Sequence, residues 1–128
     1  RMPGVAVTCP SAARNAVILR FAARDRESFG VLFLDSQNSL IAFEELFHGT
    51  LGQTAVYPRE VVRAALRHNA AAVILAHNHP SGCARPSQAD ELLTAAIRDA
   101  LALVDVKTLD HLIVARERVM SFAEEGLI

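Results

Sequence analysis

The order of apolar runs in this chain of 128 residues predicts an α/β sandwich, with helices packed on a mixed sheet. Three observations carry that expectation. Helical and strand-like segments follow one another in the order αββαβαβ. The run Ala71 to Ala76 (AAVILA) is short, apolar and β-branched at its centre, as suits a strand buried on both faces. The two clearest helical patterns lie on either side of that run.

Each element has its own signal. Ser11 opens SAARNAVILRFAAR, which is rich in good helix formers and mixes apolar residues with Arg14, Arg20 and Arg24, so a first helix is expected from Ser11 to near Asp25. Phe29 to Leu34 is continuously apolar, and Ser36-Gln37-Asn38 interrupts before a second apolar run from Leu40 to Phe47. That pattern predicts two buried strands joined by a tight turn. Gly49 to Gly52 reads as a loop. Pro58 suits the first turn of a helix over PREVVRAALRHNA, which carries Val61, Val62, Ala65 and Leu66 on one side. After the Ala71–Ala76 strand, HNHPSGCARP contains two Pro and one Gly and is expected to be a loop. Ser87 then opens a long amphipathic helix, SQADELLTAAIRDALALVD, with Ser87 and Asp90 in a capping-box pattern. A strand from Val106 to Val114, a turn at Arg116 to Arg118 and a short terminal piece complete the chain. Residues 1–10 lack periodicity and are expected to be a tail or linker remnant, leaving 11–128 as one domain.

Composition excludes several classes. With 52% hydrophobic residues, 21% charged, 6 Gly and 5 Pro, the chain is neither disordered nor collagen-like. Thirteen Lys and Arg against 14 Asp and Glu give a net charge of −1, so no global basic field is available to hold a polyanion. Cys9 and Cys83 stand in unlike contexts without C-x-x-C spacing, which argues against a disulfide framework and makes a reducing cytoplasm the expected compartment. No apolar stretch approaches the ~20 residues of a spanning helix, and the N-terminus lacks a signal-peptide layout. The mean hydropathy of +0.25 suits either a dense core or the buried face of a homodimer.

His77 and His79 are the chemically informative pair. In extended chain, residues two apart share a face, with α-carbons about 6 to 7 Å apart, so both imidazoles can reach one ion. Asp90, in the first turn of the following helix, is the natural third ligand, because the Pro80-Ser81-Gly82 turn can fold it back against the strand end. Taken alone, Asp90 reads as a helix-capping carboxylate before a ligand, and it is the combination with the two histidines that favours the metal. Two His and one carboxylate leave a fourth tetrahedral position for water, as catalytic metal sites do.

The stretch from His77 to Asp90 has the form H-x-H-P-x6-S-x-x-D and resembles the JAMM (MPN+) metalloprotease motif. The Asn between the histidines, the following PSG, FHGTL at Phe47 to Leu51, YPREVVRAAL at Tyr57 to Leu66 and LDHLIV at Leu109 to Val114 resemble the RadC family specifically. The resemblance covers about residues 11 to 128. It implies a cytidine-deaminase-like three-layer α/β/α sandwich, one zinc ion held by His77, His79 and Asp90, and a serine, Ser87, that stabilises the tetrahedral intermediate. JAMM enzymes also use an upstream glutamate in an E-x-x-G-h-L pattern, where h is apolar. Glu27-Ser28-Phe29-Gly30-Val31-Leu32 fits, so Glu27 is the candidate general base, against the plainer reading of a solvated residue in the charged run Arg24 to Glu27. Glu44, Glu45 and Glu60 are its competitors. By this resemblance zinc acidifies a water, Glu27 takes its proton, and a peptide or isopeptide carbonyl is attacked while Ser87 donates to the oxyanion.

Other residues have plainer expectations. Cys83 is a small loop filler or a reactive thiol. Asp110 shares a strand face with Leu112 and Val114, where it is either a partner for a metal-bound histidine or a structural carboxylate. His48 and His68 read as surface or boundary residues. Three functions compete: a zinc metallopeptidase acting on a peptide or protein, a non-catalytic MPN interaction module, and an accessory part in DNA repair or recombination. The third comes with the RadC name; family members carry a helix-hairpin-helix region that this sequence lacks, so DNA contact would be indirect. Zinc deaminases need H-x-E with P-C-x-x-C, which does not occur.

Overall fold

In the computed structural model, residues 10–21, 24–48 and 56–128 are described. The elements run α1 (Pro10–Phe21), β1 (Ser28–Leu34), β2 (Leu40–His48), α2 (Pro58–Arg67), β3 (Ala72–Asn78), α3 (Gln88–Ala102), β4 (Lys107–Ala115) and β5 (Arg118–Ser121). The five strands form one mixed sheet in the order β2-β1-β3-β4-β5. β1 pairs antiparallel with both β2 and β3, while β3 and β4 are parallel. Of the expected tail at 1–10, Pro10 is the first residue of α1; residues 1–9 with Cys9, the Gly49–Gly52 loop and the side chain of His48 lie outside the described residues.

Every residue of β1 and β3 is buried, so both strands face apolar layers above and below. On one face α1 packs Ala16, Val17 and Phe21 against Leu32, Leu34, Ile74, Ala76, Leu112 and Val114. On the other, Val61, Ala64 and Ala65 of α2 and Ile97 and Leu101 of α3 cover Phe29, Val31, Phe33, Val73 and Leu75. The result is the three-layer α/β/α sandwich expected from the sequence. The β1–β2 turn is held by Asp35, whose Oδ1 accepts from the backbone N–H groups of Gln37 and Ser39, both at 2.9 Å. Asn38 takes φ 62 there, a conformation asparagine tolerates. No helix of the described residues is long and apolar enough to cross a membrane.

Several element ends differ from the sequence reading. α2 ends at Arg67 rather than Ala70 and α3 at Ala102 rather than Asp105, while α1 is described to Phe21 and Arg24 and Asp25 lie outside it. β3 continues through His77 and Asn78, because its ladder with β4 runs on to Asn78↔Val114 even where the residues turn polar. The terminal piece contains a fifth strand, β5, folded back on β4 by a turn at Arg116 and Glu117.

β4 carries a bulge. Val73 pairs with Thr108 and Ile74 with Asp110, leaving Leu109 extra. The bulge adds Leu109 to the α1 side with Leu112 and Val114, while His111, beside Leu112, faces α3 by ordinary alternation. Asp110 serves the first of its two expected roles in no way the contacts support, and is a structural carboxylate. It accepts from the backbone N–H of His111 at 2.7 Å, from Ser121 Oγ at 2.5 Å and from the backbone N–H of Ala123 at 2.9 Å, fastening the chain end to β4. Asp110→Ala strands these donors and should lower unfolding free energy by about 1–3 kcal/mol in a denaturant titration.

Candidate metal centre

A parallel strand pair cannot be joined by a turn; it needs a crossover, which here is α3. The crossover begins at the carboxyl end of β3, so the N-terminus of α3 lies beside the last residues of that strand, a common place for sites in α/β folds. His77 continues the β3 face of Val73 and Leu75 toward α3, and the backbone N–H of His79 bonds to Val114 O at 2.8 Å, which keeps that residue in extended register. His77 Nε2 lies 2.9 Å from His79 Nε2 and 3.4 Å from Asp90 Oδ1, and His79 Nε2 lies 3.3 Å from Asp90 Oδ2. Donors bonded to one zinc at about 2.0–2.1 Å stand about 3.3–3.4 Å apart on a tetrahedron; the two imidazole–carboxylate separations match that spacing, and the imidazoles need to part by a few tenths of an ångström to share such an ion. Together they form a group able to hold a metal. Their side chains are 10%, 15% and 19% exposed, so solvent reaches the cluster.

Each donor is aimed by a separate device. The Pro80-Ser81-Gly82 turn closes with Gly82 N bonded to His79 O at 3.0 Å, and Gly82 takes φ 91, a conformation that glycine adopts without a side-chain clash. This turn brings Cys83 back so that its carbonyl accepts from His79 Nδ1 at 2.9 Å, leaving Nε2 toward the cluster. The backbone of Cys83, rather than its exposed thiol, is thus what the site uses. Asp90 is both cap and cluster member. Its Oδ2 accepts from Ser87 N at 2.8 Å while its own N–H donates to Ser87 Oγ at 3.0 Å, completing the capping box. A carboxylate offers about four lone-pair sites, so capping does not exhaust it. Ser87 Oγ acts as acceptor in the cap and keeps its own proton to donate.

Glu27 directly precedes β1, and because the β1–β3 ladder ends at Phe29↔His77 it lies at the same end of the sheet as the cluster. Its charge is among those that raise the pKa of His79. Among the described residues its carboxylate has no hydrogen-bond or ion-pair partner. The competing glutamates are engaged elsewhere: Glu44 with Arg67 and His68, Glu45 with Arg24, and Glu60 with Arg59 and Arg63. Asn78 fixes the segment that carries Glu27. Its Oδ1 accepts from Ser28 N at 2.6 Å and its Nδ2 donates to Arg26 O at 2.8 Å. His111, beneath the cluster, lies 2.8 Å from His77 Nδ1 through its Nε2. Sequence reasoning assigned no role to either residue. His68 is a boundary residue, its ring 4.7 Å from that of Phe33.

The charges of the cluster are tightly linked. Burial opposes ionisation of Asp90, but hydrogen bonds from His77, His79 and Ser87 N–H reverse that and hold its carboxyl well below the usual range. His79 is raised above its ordinary value, first by the hydrogen bond to Asp90 and further by the Cys83 carbonyl and the charges of Asp90 and Glu27, against burial. His111 is driven far down, by burial first and then by the neighbouring histidines. A metal needs the neutral imidazole, so protons compete with it at His79 over a range that begins above the ordinary histidine value. Metal affinity, measured by competition titration, should therefore be full at alkaline pH and fall by about tenfold per pH unit below the raised His79 value. Asp90 should stay ionised throughout that window.

The sequence model of the RadC-like JAB domain family matches residues 7–127. A UPF0758 protein of Methylibium petroleiphilum is 62% identical over 119 residues, covering 93% of this chain and 54% of its own length. Another from Dechloromonas aromatica is 62% identical over 122 residues, covering 94% of this chain and 54% of its own. The UPF0758 protein YeeS of Escherichia coli is 57% identical over 126 residues, which is 98% of this chain and 85% of that protein. The chain thus spans about half the length of the first two. With the family match running over nearly its whole length, the chain belongs to the RadC-like JAB domain family.

Proposed function

We propose that this domain is a zinc-dependent hydrolase of JAMM type that cleaves a peptide or isopeptide bond in a protein substrate. The observation that carries the reading is the convergence of three metal-type donors from the end of β3 and the start of α3, beside Glu27, whose charge bears on His79 and whose carboxylate has no hydrogen-bond or ion-pair partner among the described residues. Zinc held by His77, His79 and Asp90 would supply Lewis acidity, polarising a carbonyl and lowering the pKa of water toward about 7. In this reading Glu27, whose charge bears on His79, takes the water's proton and returns it to the leaving amine. Ser87, with its hydroxyl proton uncommitted to the cap, donates to the oxyanion, an interaction worth a few kcal/mol when well aligned. Asn78 keeps Glu27 in register through the two bonds it makes to residues 26 and 28.

A cavity of about 290 Å³ opens on the α1 side of the sheet, between Phe21, Val114, Arg24, Asp25, Asn78 and Arg116, and of the cluster it touches only His79. A purely scaffolding module has no use for a solvent-reachable set of three metal-type donors. The net charge of −1 gives no electrostatic basis for a direct nucleic-acid contact by this domain. Glu27→Gln should leave zinc content unchanged while reducing cleavage of a peptide library, read by mass spectrometry, by about 10²–10⁴-fold. Cleavage at the wild-type rate by that variant would remove Glu27 from the chemistry.

A further inference from the structure

His111 is fully buried, stacked on Phe122 at a centroid distance of 4.7 Å and edge-on to Phe29 at 5.8 Å, with both ring nitrogens engaged. Nε2 meets His77 Nδ1 at 2.8 Å, and Nδ1 meets Thr94 Oγ1 at 2.5 Å. Thr94, itself 2% exposed, donates its hydroxyl proton to the backbone carbonyl of Asp90 at 2.7 Å. A chain of three hydrogen bonds therefore runs from one member of the cluster to the backbone of another, through two residues that touch no substrate.

Its direction follows from counting protons. Threonine has one hydroxyl proton, and it is spent on Asp90 O, so Oγ1 must accept from His111 Nδ1–H. A neutral imidazole carries one N–H, so His111 Nε2 is bare and must accept from His77 Nδ1–H. That leaves the lone pair of His77 on Nε2, the atom that faces His79 and Asp90. The tautomer of His77 is thus dictated from α3, two residues away along the chain of bonds. We propose that Thr94 and His111 are positioning residues of the metal centre, which fix the metal-binding tautomer of His77 and tie the ends of β3 and α3 into one register. The inference rests on the reading of His77, His79 and Asp90 as metal ligands. It differs from the common arrangement, in which a ligating histidine donates to a carboxylate, carbonyl or water, because the acceptor is a second, neutral imidazole.

The test uses the whole chain, loaded with zinc, and long-range ¹H–¹⁵N correlations of its histidine rings. The expected spectrum shows His77 protonated at Nδ1 and metal-bound through Nε2, with His111 protonated at Nδ1 only. A proton on His111 Nε2, or His77 bound through Nδ1, overturns the relay while leaving the metal centre standing. In parallel, Thr94→Val should weaken zinc binding by about 10–100-fold, and Thr94→Ser should restore it. Equal zinc affinity in Thr94→Val and wild type also overturns the relay, and should that variant fail to fold, the wild-type ring spectrum still decides. A wild-type chain that binds no zinc would overturn the relay together with the metal-centre reading on which it rests.

Discussion

Because β3 and β4 run parallel, the chain leaving β3 must travel the length of the sheet before it can re-enter, and α3 is that return path. Its first turn is forced to start at the carboxyl end of β3. Every feature of the site follows from that placement: Asp90 comes within 3.4 Å of His77, Thr94 reaches the ring of His111 on β4, and Ser87 stands at the entrance. The antiparallel pairing of β1 with β3, which ends at Phe29↔His77, brings Glu27 to the same end of the sheet, where its charge bears on His79. The site is thus assembled by backbone connectivity before any side-chain contact is made.

Packing then makes the assembly rigid. β1 and β3 are buried on both faces, and each buried aliphatic side chain contributes roughly 1.5–3 kcal/mol of burial free energy. The polar end of β3 is bound as firmly, though by hydrogen bonds: His77 to His111, Asn78 to residues 26 and 28, and His79 to Val114 and Cys83. A metal centre needs its donors placed within tenths of an ångström, and donors set on a strand end and a helix first turn meet that demand better than donors on free loops.

Much of this was legible in the sequence, and the legible parts are those with local causes. The two-residue period of His77 and His79, the capping box of Ser87 and Asp90, and the apolar run of β3 are each set by neighbours in the chain. For Asp90 the sequence offered cap or ligand as alternatives; the structure joins them, because one carboxylate can accept from Ser87 N–H and still face both histidines. Glu27 was reached through its family pattern, and the β1–β3 register gives that pattern a physical meaning. What escaped has non-local causes. Alternation along LDHLIV sets Asp110 and His111 on opposite faces, but which face meets the cluster depends on the distant packing of α1 and α3, and it is that of His111. Asn78 bonds across 50 residues to Ser28, and Thr94 looks like an ordinary residue of an amphipathic helix.

The central claim is that His77, His79 and Asp90 hold one catalytic metal. Zinc content per chain of the purified protein, by elemental mass spectrometry with His77→Ala measured alongside, tests it most directly. The account predicts about one zinc per wild-type chain and its loss in the variant. Absence of metal from the wild type after zinc is added back near neutral pH, or full occupancy in His77→Ala, would contradict it.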